Sequence, residues 1–214
     1  MRYAQRVFGL AILMAISASL FAADITGTIT NGTTGKPAGA VEVVLLSHAS
    51  GGMAPVGKTK ADAQGRFSIA VPDPEAQHLL RVNYQGVNYS ASVLPGSAKA
   101  DITIFDAARQ VAGIVEDARV YRLQAQRGEL DVDVSYTIRN ESAPPRTKMG
   151  DETYEVELPP GSQLIEASAT APGGMPLPTS PVPTGKQNRY ALVFPIKPGQ
   201  SKLDVVYKIP YNGS

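Results

Sequence analysis

The residues able to do chemistry are few and scattered. The chain has no cysteine and only two histidines, so thiolate nucleophiles and thiolate metal sites are excluded. His48 ends a strand-like run beside Ala49-Ser50-Gly51-Gly52, and His78 opens another. Both read as solvated strand-end side chains rather than general bases, and two distant histidines make a weak zinc set. No Gly-x-Ser-x-Gly elbow marks a nucleophile. The carboxylate pairs Asp131/Asp133 and Glu155/Glu157 alternate with apolar residues, which places them on outer sheet faces and not in an acid/base pair. Asp62, in Asp62-Ala63-Gln64-Gly65-Arg66-Phe67, lacks the further carboxylates that a calcium loop needs. Its side chain is expected to cap backbone N–H groups, with Gly65 at positive φ and Phe67 entering the core. A Lys–Asn isopeptide cross-link would want a buried lysine, and the first strand, Ile25 to Thr30, has none. The expectation is a noncatalytic protein without metal or cofactor.

Binding chemistry is better represented. Sugar rings are gripped by flat aromatic faces with amides and carboxylates beside them. The best candidate is the turn Tyr84-Gln85-Gly86-Val87-Asn88-Tyr89, which would offer Gln85, Asn88 and Tyr89 together as a ligand patch. The chain has no tryptophan, and Tyr84 and Tyr89 also suit a hairpin's core or cross-strand pair. Alternation turns Tyr84 inward and leaves Tyr89 undecided. The 20 basic and 19 acidic residues nearly balance and form no basic cluster, so the electrostatic footprint of a nucleic-acid binder is missing.

The elements that would position these residues are strands. Nearly every regular segment alternates with period two, and none sustains apolar residues at helical spacing after the first two dozen positions. Val41, Val43 and Leu45 share one face, as do Phe67, Ile69 and Val71, then Leu80, Val82 and Tyr84, and finally Ile102 and Ile104. Asn31-Gly32, Gly51-Gly52, Pro72-Asp73-Pro74 and Pro95-Gly96 supply turns between them. Before strand Val41 to Leu46, Pro37 fixes φ while Gly35 and Gly39 are expected in conformations closed to other residues.

A second block starts near Arg109 to Ala112. Its candidate strands are Ile114 to Leu123, Leu130 to Ile138, Tyr154 to Leu158, Gln163 to Ala169, Tyr190 to Ile196 and Lys202 to Ile209. That is close to the roughly seven strands of an immunoglobulin-like sandwich. Ser142 to Gly150 and the proline-rich Ala171 to Gly185 are expected as exposed loops, the latter with too few N–H donors for a sheet.

Arg2 and Arg6 precede an apolar run, Val7 to Leu20, followed by Ala22 and Ala23. This is the pattern of a cleaved secretory signal, and the run is shorter than the roughly 20 residues of a membrane-spanning helix. The domain reading is a signal peptide at 1–23, a β-sandwich at 24–107 and an immunoglobulin-like β domain at 111–214. The end, Pro210-Tyr211-Asn212-Gly213-Ser214, carries an Asn-Gly turn with no strand after it. This implies either truncation or an edge as the last strand.

Gly35-Lys36-Pro37-Ala38-Gly39-Ala40-Val41 and Asp62-Ala63-Gln64-Gly65-Arg66-Phe67 together resemble the carboxypeptidase regulatory-like module, a transthyretin-like β-sandwich. The resemblance covers a little under half the chain. It implies an all-β fold, export to a periplasm or cell surface, and a noncatalytic structural or binding role with envelope proteins. Carbohydrate binding is the alternative, because such modules share their sandwich with starch-binding-like domains. A remoter likeness is to 5-hydroxyisourate hydrolase, through Gly35-Lys36-Pro37-Ala38 and the Tyr211-to-Ser214 ending. There the family's catalytic histidine falls near Thr28 and its terminal arginine on Asn212, so the chemistry is not carried over.

Overall fold

A computed structural model describes residues 23–212. The secretory signal assigned to residues 1–23 lies, except for Ala23, outside the described residues. Every regular element described is a strand, so the all-β expectation holds.

The first half contains β1 (Ala23–Asn31), β2 (Lys36–Pro37), β3 (Glu42–Ala49), β4 (Gly52–Lys60), β5 (Arg66–Val71), β6 (His78–Tyr84), β7 (Val87–Val93) and β8 (Ile102–Ile104). One sheet runs β2-β1-β5, with β8 parallel to the end of β1, and the other runs β4-β3-β6-β7. Alternation decides what lies between them: Ile25, Ile29, Val43, Leu45, Phe67, Ile69, Val71, Leu80, Val82, Ile102 and Ile104 form one buried cluster. Val41 and Tyr84 only pack against its margin.

The two turns behave differently. Asp62 Oδ1 accepts the N–H groups of Gln64 and Arg66, both at 2.9 Å, while Oδ2 pairs with Arg66 Nε at 2.9 Å. Gly65 has φ +73°, as expected from sequence. Gly39 is a correction. The left-handed residue is Ala40, at φ 62°, and Gly39 is needed instead because a Cβ there would stand 2.7 Å from the Asp62 carbonyl oxygen.

The second half contains β9 (Ala107–Ala108), β10 (Ile114–Gln126), β11 (Glu129–Asn140), β12 (Thr147–Lys148), β13 (Tyr154–Glu157), β14 (Gln163–Thr170), β15 (Leu177–Pro178), β16 (Val182–Pro183), β17 (Arg189–Leu192) and β18 (Gly199–Pro210). A large sheet, β10-β11-β18-β14-β15, faces a short one, β13-β17-β16. Between them Val132, Val134, Tyr136, Ile138, Val156, Leu158, Leu203 and Val205 build a second, separate core.

Three expectations are corrected here. The last strand is not an edge but central, with β18 hydrogen-bonded to β11 on one side and β14 on the other, and its alternating Leu203, Val205 and Tyr207 are buried. The proline-rich stretch is not entirely outside the sheets: Leu177–Pro178 pairs with β14 and Val182–Pro183 with β17. Prolines are tolerated there because each pair is a two-residue edge with one partner. Nor is Ser142 to Gly150 simply an exposed loop, since Thr147–Lys148 pairs in parallel with Ala107–Ala108 and Thr147 is fully buried.

Candidate functional site

The candidate ligand patch lies where the two halves meet. The β6–β7 turn holds Gln85 at φ 50°, with its Oε1 accepting the Ala107 N–H at 2.7 Å. Asn88 is exposed; its Oδ1 accepts from Asn83 at 3.0 Å, and its carbonyl accepts from Lys197 Nζ at 2.6 Å. Tyr89 is not offered to solvent. It is 3% exposed, because position 89 falls on the inward face of β7 opposite Val82. Its hydroxyl donates to the Phe105 carbonyl at 2.9 Å and meets Thr147 Oγ1 at 2.8 Å. Of the three residues the sequence groups, two remain on the surface, and the aromatic ring that would stack on a sugar is buried.

Around Tyr89 the joint is closed by polar contacts between segments distant in sequence. Asp106 Oδ1 accepts from Asn31 Nδ2 at 2.7 Å and from the Tyr84 hydroxyl at 3.1 Å. Thr33 Oγ1 donates to the Pro145 carbonyl at 2.6 Å and accepts the Asp106 N–H at 2.9 Å. Lys197 stands 4.8 Å over the Tyr89 ring, a cation–π contact, and burial pulls its ammonium below the usual lysine range. Burial likewise raises the Tyr89 phenol, against the lowering effect of its bonds to Thr147 and Phe105. Thr33 to Pro145, Tyr89 to Thr147 and Lys197 to Asn88 are the contacts that tie the two halves together here.

Neither histidine forms a reactive pair. His48 is exposed on β3. His78 is 2% exposed, not solvated as expected, since its ring turns inward at the start of β6 and Nε2 lies 2.6 Å from the Asp73 carbonyl. Among the described residues, no three His, Cys, Asp or Glu side chains cluster as metal ligands.

A second constellation escaped sequence reading. Arg119 grips both oxygens of Glu116 at 2.9 Å, and the Tyr154 hydroxyl donates to the same carboxylate at 2.5 Å. Arg119 also lies 4.8 Å over Tyr136, whose ring meets Tyr154 edge-on at 5.8 Å. Arg119 holds the Glu116 carboxyl below its usual range, while burial pushes the Tyr136 phenol up to about 12. A carboxylate so fully bonded is a clamp, not a base. Its residues come from three strands, with a bulge between Glu116 and Ala118, so no spacing in the sequence announces it.

The clamp stands at one end of the molecule's most exposed regular element. Strand β10 is 13 residues long and, among the described residues, pairs only with β11, leaving its other edge open. Tyr121 and Leu123 face the core side of the sheet, opposite the buried Val134 and Val132. Even so they are 52% and 60% exposed, and Val120 on the other face is 61% exposed. The opposing strand β13 is four residues long, and its Tyr154 covers the Glu116 end alone.

Two clefts lie on the surface of the described residues. One, of about 350 Å³, lies on the outer face of β3-β6-β7 between Glu42, Val44, Arg81, Asn83 and Asn88. The other, open and about 890 Å³, includes Arg109, Lys148, Asp151 and Glu152 beside the joint.

No family model matches the chain, and no curated protein matches it by sequence. Solved structures similar to parts of it include a 9R-lipoxygenase from Cyanothece, 21% identical over 38% of this chain and 16% of that one, TM-score 0.30. A DUF3823-family protein from Bacteroides uniformis is 12% identical over 56% of this chain and 54% of that one, TM-score 0.30. The major pilin SpaA of Corynebacterium diphtheriae is 12% identical over 88% of this chain and 58% of that one, TM-score 0.32. The chain thus spans less than two thirds of each, and these likenesses say nothing of activity or partner.

Proposed function

We propose that this chain is an exported, noncatalytic module of the cell envelope whose task is contact with other proteins. The observation that carries the reading is the open β10 edge, with Val120, Tyr121 and Leu123 each more than half exposed. A sheet edge offers a row of unpaired N–H and C=O groups to an incoming strand, and added strands recognise partners by main-chain bonds with side-chain pockets for specificity. Export rests on the basic, apolar and small-residue order of residues 1–23. The two-domain division, 24–107 and 111–214, rests on the two separate cores.

A carbohydrate-binding role keeps one foothold, the polar cleft beside Asn88 and Arg81. Retention of the purified protein on immobilised envelope-protein extract, on insoluble polysaccharides and on peptidoglycan separates the two. The proposal expects retention on the protein extract, lost in a Val120→Lys, Leu123→Lys variant. Retention on a polysaccharide that Asn88→Ala abolishes, with none on the protein extract, overturns it.

A further inference from the structure

Strand β10 is protected along only half its length. In the Ile114 to Arg119 half, the bulge at Asp117 breaks the register. Glu116 and Arg119 are locked together, and Asp117 is held by Arg139 at 2.8 Å. Bulges and fixed charges are how natural edges repel incoming strands. From Val120 to Gln126 the pairing with β11 is unbroken, and one charged residue remains, Arg122, already bonded to Asp133 at 3.2 Å.

We propose that this open half of β10 pairs antiparallel with the same segment of a second copy of the chain, about a two-fold axis at Leu123. This rests on the protein-contact reading above and names the partner. In that register Leu123 faces Leu123 and Tyr121 faces Ala125 on the core side, while Arg122 faces Gln124 and Val120 faces Gln126 on the other. Between Val120 and Gln126 no like charges stand opposite one another; Arg119 and Arg127 come opposite only beyond the ends of the paired segment. Such charges, directly opposed, are destabilising, whereas apolar cross-strand pairs stabilise. Shifting the axis to Arg122 would oppose two arginines, and shifting it to Arg119 would do the same. The pairing joins Tyr121 and Leu123 of both copies to the half-buried Leu130 and Ile209, the next residues on the same face. It makes one continuous sheet across two copies, an isologous contact that closes on itself.

The native chain has no cysteine, so a single cysteine reports on the axis cleanly. Under mild oxidation Leu123→Cys should form a disulfide-linked dimer at least about ten times faster than Ser50→Cys in the exposed β3–β4 turn, since residues opposite at a strand pair bring their Cβ atoms to about 4.5–5.5 Å. In sedimentation equilibrium the wild-type mass should climb toward that of a dimer as concentration rises over about two decades. Leu123→Lys, folded by circular dichroism, should stay monomeric. Monomeric wild type, with Leu123→Cys cross-linking no faster than Ser50→Cys, overturns the self-pairing. If the lysine variants still abolish capture by envelope protein, only the identity of the partner is overturned. If they leave that capture intact, the edge reading itself falls.

Discussion

Replacing Tyr89 by phenylalanine tests whether the two sandwiches are joined as described. The substitution removes one oxygen and leaves the ring, so packing against Phe105 at 6.3 Å between centroids is kept. What is lost is the hydroxyl that bonds the Phe105 carbonyl at 2.9 Å and Thr147 Oγ1 at 2.8 Å. Thr147 is fully buried, so its hydroxyl is left without a partner, at a cost of about 1–3 kcal/mol. For a protein of this size that corresponds to a fall in Tm of roughly 2–12 °C. Thr147→Val removes the other hydroxyl and should cost about 0.5–1.5 kcal/mol, because the phenol still donates to the Phe105 carbonyl. With both gone, no hydroxyl is stranded at the Tyr89–Thr147 contact. The double variant should therefore be less destabilised than the sum of the singles, by about 0.5 kcal/mol or more. Urea titrations of the four proteins, followed by far-ultraviolet circular dichroism and tyrosine fluorescence, give these values and show whether the two cores unfold together. Additivity within about 0.3 kcal/mol, or a neutral Tyr89→Phe, refutes the joint, since separated sandwiches would not couple these residues.

Other expectations follow from the same geometry. Gly65→Ala should destabilise by at least about 2 kcal/mol, because φ is +73° and a Cβ would lie 2.4 Å from the Ile29 carbonyl oxygen. Gly51→Ala, with nothing within 4 Å, should stay within about 0.5 kcal/mol of wild type. Equal denaturation midpoints for the two would contradict this. Asp101 is held below the ordinary aspartate range by the Thr28 hydroxyl and N–H and by Lys99, and Asp62 by the N–H of Arg66 first of all. Lowered folded values mean that the stability these groups add is complete above the unfolded aspartate range and is lost as pH falls through the folded values. Asp101→Asn should flatten the acid limb of the stability profile, and an unchanged limb would show that the Thr28 contact does not form.

The sequence made the first sandwich legible because its turns carry their own chemistry. Asp62 and Gly65 fix a reversal through local bonds alone, and the strict alternation of Phe67, Ile69 and Val71 leaves one face to bury. Leu130 to Ile138 was readable for the same reason. What stayed hidden depends on contacts between distant segments. Tyr89 could face either way until Thr147, remote in sequence, supplied the partner that makes its burial tolerable. Ser142 to Gly150 looked like a loop because a two-residue parallel bridge to Ala107–Ala108 has no periodicity to detect. The placement of β18 at the centre of its sheet was equally invisible, since alternation tells which face is buried but not which neighbours a strand has. The openness of β10 depends on how short β13 is, a comparison no single segment contains.

Hydrogen–deuterium exchange across a concentration series tests the central claim that β10 is the contact edge and the Tyr84–Tyr89 turn is structural. The account predicts that amides between Val120 and Gln126 gain protection as the protein is concentrated, while those of Val87 and Tyr89, paired with Tyr84 and Val82, are slow and unchanged throughout. Flat exchange along β10, together with fast exchange at Val87 and Tyr89 that slows on adding soluble polysaccharide, would contradict it.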